Sequence, residues 1–154
     1  MSSNSESERK ILFPETMDYD KRPPIRRTIL EGHKVPYYYR LGWLFSSPSE
    51  LGQFLGEVPD DESLLRHYKR NVLSRRWYEL WGRPVNPRPD VMFWESPYSP
   101  IRQHGQLLVY FVMNIPTEFQ FLDEQKDNFV EKAIQTLGLP EDKLKDLKWH
   151  YARD

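Results

Sequence analysis

The sequence predicts an α+β fold, with a small, mostly antiparallel sheet of about three strands packed by four helices and an extended proline-rich arm near the N-terminus. Three observations carry this. Apolar, β-favouring runs occur at 37–45, 91–95 and 106–115. Helix start and stop signals bracket 47–56, 60–82 and 117–138, and Pro140 opens a fourth helical stretch. The order of these elements contains no repeat, which favours helices layered on one sheet. At 154 residues the chain has the size of one ordinary domain and can bury roughly two-thirds of its unfolded surface without disulfides or metal. A disordered tail over 1–10 and a single α+β domain over 11–154 are expected.

Residues 1–10 (MSSNSESERK) are polar and charged, too poor in apolar groups to offset the entropy of ordering. From Phe13 to Pro36 the chain is broken by Pro14, Pro23, Pro24 and Gly32, a pattern that opposes helix and reads as an extended arm. Residues 37–45 (YYYRLGWLF) follow as a strand, bounded by Pro36 and the turn Ser46-Ser47-Pro48. Ser47, Pro48 and Glu50 then supply an N-cap, a first-turn proline and a capping-box acid for a short helix that stops at Gly56.

Asp60 is placed to cap a long helix, which Gly82 and Pro84 end. Pro84, Pro87 and Pro89 stiffen the connection to a strand at Val91–Glu95. Gln106–Ile115 (QLLVYFVMNI) is apolar almost throughout, as a central strand covered on both faces should be. Thr117 and Gln120 form a second capping box, and Phe119, Leu122, Phe129, Val130, Ala133, Ile134 and Leu137 recur at helical spacing up to Gly138. After Pro140, Leu144, Leu147 and Tyr151 share one side of a last helix.

Composition excludes several kinds of function. Cysteine is absent, which removes disulfide frameworks, thiolate metal sites and cysteine nucleophiles. His33, His67, His104 and His150 show no metal-ligand spacing. There is no Gly-rich phosphate loop, dinucleotide fingerprint or nucleophile elbow, and only seven glycines in all. No cofactor and no metal are therefore expected. No apolar run approaches the ~20 residues that span a bilayer, and the first residues lack the apolar stretch of a secretory signal. The expectation is a soluble intracellular protein, cytoplasmic or nuclear, without membrane contact.

The net charge of −1 is unevenly spread, with 13 basic and 7 acidic residues over 21–88 against 7 and 11 over 89–154. The two parts could face each other within one fold, or the basic part could meet an acidic partner. Residues 63–82 (SLLRHYKRNVLSRRWYELWG) concentrate the basic character, with five cations, one acid and four large aromatics. On a regular helix Leu65, Val72 and Leu80 fall together, with Lys69 and Arg76 among them. Two cations beside an apolar seam must snorkel to acids or bind an anion.

Three functions follow from these residues. The first is a non-enzymatic interaction module, in which a basic-aromatic helix over about 61–82 binds an acidic protein partner or a second copy of the chain. Its candidate residues are Arg66, Lys69, Arg70, Arg76, Trp77, Trp81 and Arg102. The second is a cofactor-independent isomerase, cyclase or lyase. It would use His104 or Glu95 as acid or base beside an aromatic-lined pocket of Tyr37, Tyr38, Tyr39, Trp94 and Tyr110. The third is nucleic-acid binding, with cations on phosphates and rings on bases, against which stands the sequence pI near 6.4.

Overall fold

The computed structural model describes residues 13–26, 38–98 and 105–152; the predicted tail over 1–10 lies outside them. Among the described residues five strands, rather than about three, form one antiparallel sheet: β1 (Thr16–Asp18), β2 (Tyr39–Phe45), β3 (Asp90–Phe93), β4 (Leu107–Met113) and β5 (Lys148–Tyr151). Their order is β1-β5-β2-β4-β3. The helices are α1 (Pro48–Leu55), α2 (Glu62–Tyr68), α3 (Ser74–Trp81) and α4 (Pro116–Leu137). A π-helical turn, Lys69–Leu73, joins α2 to α3, and a 3₁₀ turn, Glu141–Asp146, precedes β5.

The two extra strands correct two expectations. The arm contributes β1, where Thr16, Met17 and Asp18 pair with His150, Trp149 and Lys148. The segment expected as a last helix reaches only the 3₁₀ turn, after which residues 148–151 pair with both β1 and β2. The reason lies in the side chains: Trp149 and Tyr151 alternate with Lys148 and His150, a period of two that suits a sheet. The pairing partners are more than a hundred residues away along the chain, so local spacing could not reveal them. The rest of the described arm runs over the molecule and is clamped by buried Asn114. Its side chain donates to the Pro24 carbonyl (2.9 Å) and accepts from the Tyr39 amide (2.8 Å), and its carbonyl accepts from Arg26 (2.9 Å).

All four helices pack on one face of the sheet. Tyr39, Leu41, Trp43 and Phe45 of β2, Val109 and Phe111 of β4, and Trp149 and Tyr151 of β5 meet Leu51, Leu73, Trp77, Phe129 and Leu137 there. Trp77 is 1% exposed and lies 5.1 Å from Phe111 and 6.2 Å from Phe129, ring to ring. The opposite face collects Leu44, Met92, Trp94, Leu108, Tyr110 and Ala152, with no helical residue among its described members. At Gly42 β2 and β4 come so close that a Cβ would lie 1.9 Å from the Val109 carbonyl oxygen. Only glycine fits there.

Local signals hold in part. Ser47 accepts from the Glu50 amide, but the Glu50 carboxylate reaches back to Ser46 rather than closing on Ser47. Asp61, not Asp60, caps α2, accepting from Ser63 (2.9 Å) and Leu64 (3.2 Å). Ile115 precedes Pro116 at the start of α4, and the Glu118 carboxylate accepts from the Met113 amide, so Thr117 and Gln120 form no capping box. Gly82 and Gly138 end α3 and α4 in the left-handed conformation, as expected of C-caps. Within α4, Lys126 takes φ 40°, ψ −114°. The kink keeps Phe121 and Leu122 before it, and Phe129 and Ala133 after it, in the core.

Candidate functional site

The sequence from 63 to 82 divides into two parts with different surroundings. A π-helical turn contains one more residue than the α-turn it replaces, so the buried seam moves by one position. Leu65 is buried before the turn; Leu73 at its end and Trp77 after it are the next buried residues, in place of the expected Val72 and the neighbourhood of Arg76. This places the tryptophans inward. Trp77 donates from Nε1 to the Pro87 carbonyl (3.1 Å), and Trp81 is half-buried against Phe121, with rings 6.1 Å apart. Arg76 reaches the Thr136 carbonyl at the end of α4 (3.4 Å), an ordinary cover for a C-terminal carbonyl. Neither tryptophan forms an exposed stacking platform.

The cations before and within the π-turn face outward, toward the edge of the sheet. Arg66, Lys69 and Arg70 form one wall of a groove of about 860 Å³, and β3 with its approach forms the other. Arg88 projects into the groove between Pro87 and Pro89, and its Nε donates to Asn86 (3.2 Å). The floor carries Leu65, Val91, Met92 and Phe93. Among the described residues Lys69 is matched by Asp90 at 2.8 Å, and Arg66 only distantly by Glu62 at 3.9 Å. Arg70 makes no ion pair among them.

The groove connects electrostatically with the helix-free face. The Tyr110 hydroxyl interacts with both Asp90 and Arg40, and burial, more than these charges, pushes its pKa up to about 12. Arg40 is buried between Tyr110 and Tyr38, 5.1 Å and 5.5 Å from the ring centres, and Arg26 caps Tyr38 at 4.1 Å. An alternation of cations and rings thus crosses the sheet and ends at the Lys69–Asp90 pair. Such stacking stabilises a desolvated guanidinium. His150 lies beside Arg40 in the β2–β5 ladder and is 4% exposed. Neither of its ring nitrogens has a well-formed hydrogen bond. Burial holds its pKa down to about 4, and the Gly42 backbone offsets only part of that effect.

Of the residues expected to bind, the structure brings Arg66, Lys69 and Arg70 together at the groove, and sets Arg76 against the Thr136 carbonyl, Trp77 in the core and Trp81 half-buried beside it. Arg102 and the proposed acid-base residue His104 lie outside the described residues, as does Tyr37; Glu95 lines the groove. Tyr39 belongs to the helix-covered face and Trp94 and Tyr110 to the other. These rings therefore do not line one pocket. Sequence reasoning missed Arg88, Asp90 and the edge of β3, which pairs on one side alone among the described residues. The flanking prolines of Arg88 were a signal of a fixed position, but which wall it would join depends on the strand order. Among the described residues no three His, Asp or Glu side chains gather as a metal site, and no helix is long and apolar enough to cross a membrane. No protein-family model, curated protein or solved structure matches the chain.

Proposed function

We propose that the chain is a non-enzymatic interaction module that binds an acidic protein partner in the groove between α2 and β3. The observation that carries this reading is the convergence of Arg66, Arg70 and Arg88 on an apolar floor, with Arg70 lacking an ion pair among the described residues. A guanidinium offers a planar fork suited to carboxylates, and apolar floor beneath it adds burial that a purely charged patch lacks. Buried Trp77 and half-buried Trp81, packed against Phe121, support this reading over nucleic-acid binding, because neither ring stands free to stack on bases.

The test is fluorescence anisotropy with a labelled Glu-rich peptide and, for comparison, a labelled single-stranded oligonucleotide. The reading expects the peptide to bind and the double reversal Arg70→Glu, Arg88→Glu to weaken it by about a hundredfold, from lost attraction and added repulsion. Tighter binding of the oligonucleotide, or equal peptide affinity for the reversed variant, would overturn it.

A further inference from the structure

We infer that the partner enters this groove as an extended strand added to the free edge of β3, with acidic and apolar residues alternating. The inference rests on the acidic-partner reading and specifies its form. Among the described residues β3 is the last strand of the sheet on its side and pairs with β4 alone. The Trp94 amide donates to the Gln106 carbonyl (2.9 Å), one step beyond the Phe93–Leu107 pair. In an antiparallel ladder, hydrogen-bonded and non-bonded pairs alternate. The amides and carbonyls of Met92 and Asp90 therefore face β4, and those of Val91 and Phe93 face outward. The Val91 amide is taken by the Asp90 side chain (2.6 Å), which leaves the Val91 carbonyl and both polar groups of Phe93 aimed at the groove.

The cavity itself supports an extended occupant. It is lined by Val91 and Phe93, whose side chains point to the helix-covered face, and by Met92 and Tyr110, which belong to the opposite face. A space that touches both faces of one strand wraps around its edge. The other edge is poorer: β1 has three residues and runs into a turn where the Lys21 amide donates to Asp18. Lys69 and Asp90 close one end of the β3 edge with their ion pair, so pairing is centred on Phe93.

The side-chain pattern follows from the pleat. A partner residue opposite Phe93 places its side chain on the helix-covered side, within the reach of Arg66 and Arg70, so an acid belongs there. Its neighbours point to the other side and extend the apolar row of Met92 and Tyr110. Main-chain hydrogen bonds then hold the partner and the alternation selects it.

The probe is a labelled heptapeptide of alternating glutamate and valine. Its controls are a peptide of the same composition with all glutamates before all valines, and the alternating peptide with every second amide N-methylated, in both phases. The expected result is about tenfold weaker binding of the block peptide, and a comparable loss for the one N-methyl phase whose amides face β3. Equal binding of all four peptides, with the loss on Arg70→Glu, Arg88→Glu retained, would overturn strand addition and leave the acidic-partner reading standing. Failure of every acidic peptide would overturn both. Light scattering in the same solutions adds one further outcome: a stable dimer that excludes the peptides would overturn the inference in favour of a second copy as the occupant.

Discussion

The two faces of the sheet solve the problem of burial differently. The helix-covered face is filled by interlocking rings, with Trp77 against Phe111 and Phe129, and Phe119 edge-on to Trp149 at 5.7 Å. The helix-free face buries a guanidinium and an imidazole, Arg40 and His150, among tyrosines and a few aliphatic groups. Apolar packing stabilises in proportion to the area removed from water. A buried polar group adds little net stability and costs a great deal if its partner is lost. The first face should therefore set the magnitude of stability, and the second its dependence on conditions and its specificity. The candidate groove lies where the faces meet at the β3 edge, and it draws apolar floor from one and a polar network from the other.

The largest expected effect is on the ring-filled face. Trp77→Ala should cost about 4 kcal/mol, from lost contacts and the cavity left behind, read from the midpoint of urea unfolding. A cost below that of an ordinary surface change would mean that the rings do not dominate the core.

On the polar face the comparison predicts a pH effect. His150 has a folded pKa near 4, below its ordinary 6.5, so the unfolded chain takes up a proton that the folded chain refuses. Its contribution is complete above about pH 6.5 and is lost as the pH falls toward 4, by about 3 kcal/mol in all. Urea unfolding at pH 7 and pH 4.5 measures this, and His150→Phe should flatten the difference. An unchanged slope in that variant would assign the acid sensitivity to other groups.

Gly42 sits where β2 and β4 approach each other most tightly among the described glycines. Gly42→Ala must push backbone against backbone and should cost about 3 kcal/mol, read as a lower thermal midpoint. The smallest stability effect belongs to the groove. Arg70→Ala and Arg88→Ala should change unfolding by no more than about 0.5 kcal/mol while weakening the Glu-rich peptide. A larger stability loss would make these arginines structural.

Much of the fold was legible from local patterns. β2, β3, β4, α1 and α4 lie within a residue or two of their expected positions, because each carries its own period and its own stop signals. The long helix was legible in extent but not in phase. A π-turn has no sequence signature comparable to a glycine cap, and one extra residue changed which side chains of Ser63–Gly82 were buried. That is why Trp77 is buried and Trp81 half-buried, while Arg66, Lys69 and Arg70 line the surface groove.

The residue types available, the breaks imposed by proline and glycine, the absence of thiol chemistry and the uneven charge of the chain were all readable without coordinates. These follow from covalent structure and from interactions within a few residues. Tertiary pairing made Thr16–Asp18 and Lys148–Tyr151 neighbouring strands, brought Arg88 to the same groove as Arg70, and left β3 as the last strand on its side among the described residues. Each of these depends on pairing between segments far apart in the chain, where burial of shared apolar area outweighs the weak local preference of any one segment.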